Sequence, residues 1–350
     1  MRSYFLALLC LVFFNLNCYA SQTLIIEPEM GRAPLLNAIS NADQNIDLVM
    51  YGLTDDQFTH ALIDAQNHHK NVRILLEHYP YLNTDENEPA IAVLQAAHMN
   101  LHWPDGHFKL THQKTFLLDG NKALVLTFNL THSTFKKERN FGLLITDSEL
   151  VAKIQQVFNA DFTHHPENIQ DPDLIFSPDD SRSKLLNLIE GAHTSIKIYA
   201  EGLSDYQIVG ALAKAARRGV KVSILTSLYN KKPAGQQFGY LERAGVIIHN
   251  SDRYVIHAKV MMIDDDHAVL GSINFTRQSI DSNRELSVIT RDPTILKLLG
   301  YTFAIDWHDS NTLVVSSSAR RVRSHDKWSH AEIKPLVRAA KTYFKSLRLS

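Results

Sequence analysis

Two stretches of this 350-residue chain carry the same polar residues at the same spacing. In "THQKTFLLDGNKALVLTFN", His112 and Lys114 precede Asp119 and Asn129; in "IHAKVMMIDDDHAVLGSIN", His257 and Lys259 precede Asp264 and Asn274. Both segments read as β-strands, where alternate side chains face the same way, so each histidine projects beside its lysine. An imidazole beside an ammonium suits a phosphate. The lysine holds the charge of the nonbridging oxygens while the imidazole attacks phosphorus or protonates a leaving group. One copy supplies half of that chemistry, and two copies related by a pseudo-twofold supply a histidine on each side of one phosphorus. Gly271 and Ser272 read as a tight turn that lets backbone approach the ligand, with Asn129, Ser272 and Asn274 as further partners of the phosphate oxygens.

The elements that must position these residues are themselves repeated. The segment beginning at Ala33 and the one beginning at Ser183 align without a gap, so that Leu35, Gly52 and Leu62 fall on Leu185, Gly202 and Leu212. Each copy reads as a short helix, a strand (46–51; 196–199), a turn, an amphipathic helix and a second strand (72–76; 220–225). Asp55 and Ser204 stand where those amphipathic helices begin, and Asp147 and Asp292 where a final helix begins in each copy. The proline- and acid-rich "HHPENIQDPDLIFSPDDS" reads as a linker. The fold expected is α/β: two tandem domains, 21–168 and 169–312, each a mixed sheet flanked by helices and sharing one active site.

Composition sets the frame around that core. At 45% hydrophobic and 21% charged the chain can bury two ordinary domains, which excludes a disordered tail or a coiled coil. Residues 1–20 read as a signal peptide ending "CYA", so an exported protein, periplasmic or secreted, is expected. Cys10 and Cys18 both lie within it, and the mature chain would then hold no cysteine for a disulfide, a metal or nucleophilic attack. The end of the chain, 313–350, forms a basic tail. From Ser318 onward nine Lys or Arg face Asp326 and Glu332, a net charge of +7 in a chain whose total is −1. Interleaved Trp328, Tyr343 and Phe344 fit an anionic membrane, a nucleic acid, or a helix packed on the body. Neighbouring pairs such as His68 and His69, or His164 and His165, do not converge on one ion, and no metal or cofactor is expected.

"HQKTFLLD" and "HAKVMMID" both fit H-x-K-x(4)-D, and the second continues into G-S-x-N. The chain therefore resembles the phospholipase D superfamily over essentially its whole mature body. That resemblance implies a metal-independent phosphodiesterase with a phosphohistidine intermediate, His112 and His257 as nucleophile and general acid, and Lys114 and Lys259 as phosphate clamps. It implies that Asp119 and Asp264, within the catalytic motif, are more structural than chemical. It also implies that Glu285 hydrogen-bonds a catalytic imidazole, and by the pseudo-twofold that imidazole is expected to be the one of its own half, His257. The first copy departs from the pattern: Leu126 and Thr127 replace glycine and serine, no glutamate matches Glu285, and Glu138 lies nearby at a different offset. The reading is an exported phospholipase D-like enzyme that hydrolyses phospholipid headgroups or transfers the phosphatidyl group. It would act at a phospholipid surface and as a monomer, since one chain holds both motifs. The loop from Tyr229 to Tyr240, with Lys231 and Lys232, favours a lipid surface, and near-neutral charge in the body argues against a broad basic nuclease groove. An exported endonuclease of the same superfamily, acting on nucleic acid, is the alternative, and a catalytically dead phosphate-binding protein a third.

Overall fold

The structure is a computed structural model that describes residues 21–80, 84–104, 106–227 and 235–313. Residues 1–20 with Cys10 and Cys18, the lysines Lys231 and Lys232, and the basic tail beyond residue 313 lie outside the described residues.

The first half contributes β1 (Gln22–Glu27), β2 (Asn45–Met50), β3 (Asn71–Leu76), β4 (Asn100–His102), β5 (Thr115–Leu118), β6 (Lys122–Leu126) and β7 (Glu138–Ile145). The second contributes β8 (Leu174–Ser177), β9 (Ser195–Ala200), β10 (Lys221–Thr226), β11 (Ile247–Ser251), β12 (Val255–Ile256), β13 (Lys259–Ile263), β14 (His267–Gly271), β15 (Glu285–Thr290) and β16 (Ser310–Thr312). The sheets run β4-β3-β2-β5-β6-β7-β1 and β11-β10-β9-β13-β14-β15-β8, the same order twice, with β16 added beside β11. In each, three neighbouring strands (β2, β3 and β4; β9, β10 and β11) pair parallel and the strands from there to β1 or β8 pair antiparallel, so the duplication seen in the sequence is a duplication of topology.

β12 does not join the sheet of its own half. It pairs parallel with β7, placing Ile256 opposite Arg139, and the reciprocal bridge joins Thr111 to Arg284 at β15. Each histidine segment therefore enters its own sheet only after pairing with the other half.

Both faces of the central strands are buried, which explains runs such as "LVM" and "KVMMI" that do not alternate with polar residues. Leu48 and Met50 face the outer helices of the first half, while Val49 faces the other way. Met261 and Ile263 face the outer helices of the second half, while Val260 and Met262 face inward. The inward residues of both sheets meet Val157 and Phe158 of the helix Ser148–Phe162 and Leu299 and Phe303 of the helix Pro293–His308 in one cluster. The two halves thus share a core.

Local signals explain most element starts. Asp55, Asp147 and Asp292 accept backbone N–H bonds at the first turns of their helices, as expected of N-caps. In the second copy the cap is Asp205, which accepts from Gln207 and Ile208, and not the expected Ser204. A second correction concerns the linker: "LIFS" within it forms β8, an edge of the second sheet, and the helix Ser181–Gly191 begins at its last residue. Tyr240, read as part of a loop, sits on the helix Gly235–Arg243.

Gly271 has a role other than approach to a ligand. A Cβ there would lie 2.2 Å from the Leu286 carbonyl oxygen and 2.4 Å from Ser287 Cα, so glycine is needed to bring β14 against β15. In the first half Leu126 takes that position, and the glycine has moved to its cross-strand partner, Gly142, where a Cβ would meet Leu126 Cδ2 at 2.8 Å. The close approach is preserved while the residue that permits it changes strand.

Candidate active site

His112 and His257 stand at the entrances to β5 and β13, each hung on the opposite half by its main chain. The His112 N–H donates to the Arg284 carbonyl at 2.9 Å, and the N–H groups of His257 and Ala258 donate to the Arg139 carbonyl at 3.3 and 3.0 Å. The preceding residues are held in parallel fashion, Thr111 N–H by the Glu77 carboxylate at 2.8 Å and Ile256 N–H by Ser227 Oγ at 3.0 Å. Both imidazoles keep only a small opening to solvent, with side-chain exposures of 13% and 15%.

This crossing overturns the expected pairing of Glu285. Its Oε2 lies 2.8 Å from His112 Nδ1, so the buried carboxylate supports the histidine of the other half. Asn283 Nδ2 donates to the other carboxylate oxygen at 3.0 Å. Behind His257 the same three positions read in reverse: Asn140 Oδ1 lies 3.1 Å from His257 Nδ1, and Asn140 Nδ2 donates to Glu138 Oε2 at 3.0 Å. "ERN" in one half and "NRE" in the other thus give one histidine a carboxylate directly and the other a carboxylate through an amide. Glu285 fixes Nδ1 of His112 as donor and leaves its Nε2 a lone pair for chemistry, while Nδ1 of His257 lies between the Asn140 amide oxygen and Lys259 Nζ, the latter at 3.1 Å.

Lys114 and Lys259 are fully buried. Each donates to the carbonyl of its own histidine at 2.5 Å, and Lys259 also reaches the Thr127 carbonyl at 3.0 Å, from the other half. Groups of both motifs act on each histidine. Burial lowers the affinity of His112 for a proton, and the ammoniums of both Lys114 and Lys259 lower it further against the pull of Glu285. Burial, with the same two lysines, holds His257 down at about 4, against Glu201 and Glu138. Burial and the neighbouring Lys259 push Lys114 well below the usual lysine range. Two cations that disfavour each other in a dry pocket make a site short of negative charge.

Tyr51 and Glu201 occupy equivalent positions after β2 and β9, and neither was singled out in the sequence. The Tyr51 ring stands edge-on to His112, centroids 4.6 Å apart, with Lys114 Nζ 4.9 Å from its centre. Glu201 instead places Oε2 at 2.5 Å from Lys259 Nζ and Oε1 at 3.6 Å from His257 Nε2. Burial opposes its ionisation, but His257 and Lys259 outweigh burial and hold the carboxyl far below the carboxylate range.

The remaining sequence candidates divide. Asn129 and Asn274 occupy equivalent places after β6 and β14; a Cβ on Gly202, the neighbour of Glu201, would lie 3.4 Å from Asn274 Oδ1. Ser272 is corrected: its Oγ accepts the Leu286 N–H at 3.2 Å, tying β14 to β15, as Thr127 Oγ1 accepts the Phe141 N–H at 2.9 Å in the first half. Asp119 and Asp264 lie at the far end of β5 and β13 from the histidines and take no part in the site. Asp119 accepts backbone N–H bonds from Asp43, Gln44 and Asn45, and Asp264 from His193, Thr194 and Ser195, at 2.7–3.0 Å. Burial works against ionisation of Asp264, but these donors lower it from the ordinary 3.8 to about 2. Its contribution to stability is therefore full above pH 4 or so and is lost as pH falls toward 2. Asp264→Asn is expected to cost about 1–2 kcal/mol at pH 7, read from urea unfolding, and to flatten stability against pH over that window.

A family model described as cardiolipin synthase, PLD-like domain, matches residues 35–162 and 185–307. The chain is similar to the mitochondrial cardiolipin hydrolase of Mus musculus, 29% identical over 146 residues, which are 41% of this chain and 66% of that protein. It is also similar to the phospholipase D of Rickettsia conorii, 36% identical over 120 residues, 33% of this chain and 60% of that protein. The match to each relative spans less than two thirds of its length. Among solved structures, phosphatidylserine synthase of Haemophilus influenzae Rd KW20 superposes with a TM-score of 0.64 over 94% of both chains at 14% identity, a likeness of fold.

Proposed function

We propose that this chain, which belongs to the phospholipase D-like family, cleaves phosphodiester bonds of phospholipids through a phosphohistidine on His112. The observation that carries the reading is the pair of imidazoles, each held at Nδ1 by a residue of the other half, around two buried lysines. Lys114 and Lys259 would take the nonbridging oxygens, with the Asn129 and Asn274 amides as further partners. The His112 Nε2 lone pair attacks phosphorus, the bond to the leaving alcohol breaks, and its electron pair leaves on oxygen, which takes a proton from His257 Nε2. Water, or a second alcohol, then gives a proton to His257 and attacks phosphorus, and the P–N pair returns to His112. Glu285 supports the nucleophile, because a carboxylate on Nδ1–H stabilises the positive charge the ring acquires on attack.

His257 enters the first step as the imidazolium, so the diester binds together with one proton. The names of the curated relatives favour a lipid over a nucleic acid, as does a body that carries no excess of positive charge once the basic tail is set aside. Export to the periplasm or beyond belongs to the same reading.

The test offers purified protein phosphatidylcholine, phosphatidylglycerol and single-stranded DNA side by side in EDTA. Release of a headgroup from a phospholipid is the expected result. Degradation of DNA alone would replace the lipid reading with the nuclease one, and activity lost in EDTA and restored by zinc or magnesium would overturn the mechanism.

A further inference from the structure

Glu201 is a charged side chain of the site for which the mechanism above has no use. The equivalent position in the other half holds Tyr51, so the fold itself does not require a carboxylate there. Its two oxygens lie where a diester would have to bind: Oε2 on Lys259 Nζ at 2.5 Å and Oε1 toward His257 Nε2 at 3.6 Å. A phosphate oxygen and a carboxylate oxygen cannot share Lys259 without like-charge repulsion in a dry pocket, so the carboxylate must yield when the diester arrives. The Glu201 side chain is 25% exposed, so it stands at the mouth of the site. It stands, moreover, on the side of His257, the histidine that releases the leaving alcohol.

We propose that Glu201 holds the phosphate position in the empty site and, once displaced, selects diesters whose leaving alcohol carries an ammonium group, such as a phosphocholine or phosphoethanolamine head. The selectivity half of this inference rests on the reading under Proposed function. An ammonium two carbons from the ester oxygen would meet the displaced carboxylate close to the leaving oxygen. A glycerol head offers nothing to pair with it, and a further phosphate on the leaving side would be repelled.

Glu201→Gln in the full chain separates the two parts. Inorganic phosphate, titrated calorimetrically, is expected to bind about tenfold tighter to E201Q, because the tethered competitor has lost its charge. In mixed micelles, the ratio of kcat/KM for phosphatidylcholine over phosphatidylglycerol is expected to fall about tenfold or more, and Glu201→Asp to restore part of it. A purely structural ion pair would lower both substrates together and leave the ratio where it was. Unchanged or weaker phosphate binding, or an unchanged ratio, overturns the proposal. If the unaltered chain turns over no phospholipid, the reading under Proposed function fails, and the phosphate titration still decides whether Glu201 holds the position.

Discussion

Replacing His112 by asparagine is expected to lower turnover of a phosphodiester by at least about 10⁴-fold, whatever the leaving group. The nucleophile has no substitute among its neighbours: Lys114 and Lys259 are committed to backbone carbonyls, and the His257 ring is tied to Asn140 from the other side. His257→Asn is expected to behave differently. With an alkyl ester its loss is about 10²–10⁴-fold, the usual span for a general acid, but with a nitrophenyl ester, whose anion leaves without a proton, most of that loss should disappear. The contrast between the two variants on the two esters assigns the roles. If H112N is the one rescued by the nitrophenyl ester, attack belongs to His257 and the assignment is reversed. A pH profile gives an independent reading. An acid must be protonated to act, so activity falls as pH rises through its pKa, and in the empty site His257 lies at about 4. Because kcat/KM reports the free enzyme and kcat the complex, kcat/KM is expected to decline from a lower pH than kcat, the bound anion having raised His257.

What could be read in the sequence was whatever the repeat states twice. His112 and His257, Lys114 and Lys259, and the matching succession of helices and strands in the two halves all follow from two segments in register, because strand period and residue type are local properties. The structural role of Asp119 and Asp264 followed from the family. What escaped depends on which half a residue meets, and sequence carries little of that. Glu285 looked like the partner of His257 because both lie in the second copy. The backbone bridge of Thr111 to Arg284 carries it instead to His112. A signal for this was present, since "ERN" and "NRE" align on their arginine with carboxylate and amide exchanged, but it gains meaning only once the halves are known to cross. Gly142 compensating Leu126 is of the same kind: a cross-strand pair invisible until the register is known. Glu201 was overlooked because its counterpart is a tyrosine, and searching for shared residues passes over the position where the copies differ.

The arginine shared by those two triplets sets the largest expected effect on stability. Arg139 is buried and meets Asp306 of the second half through Nε at 2.7 Å and Nη2 at 3.0 Å, while Nη1 and Nη2 reach Glu29 at 2.5 and 2.9 Å. Arg284 mirrors it, pairing with Asp161 of the first half at 2.8 and 3.0 Å and with Asp179 at 2.9 Å. Each guanidinium thus spans the boundary between the sheets, and its own carbonyl holds the histidine segment of the other half. Arg139→Ala would leave Asp306 and Glu29 without their cation, and Tyr199, whose hydroxyl donates to Asp306 at 2.7 Å, beside an uncompensated charge. The expected cost is about 3–5 kcal/mol, as for breaking one side of a buried ion pair, measured as the shift in urea unfolding free energy. Arg139→Lys should recover only part of it, because a lysine cannot serve two carboxylates with a planar fork. Removing the acids together with the arginine, as R139M with D306L and E29L, is expected to cost less than R139A alone, since no orphaned charge remains. That ordering distinguishes a desolvated charge from a packing defect. If R139A costs under about 1 kcal/mol, the two halves are held by their shared apolar core and the arginines are only spectators of the crossing.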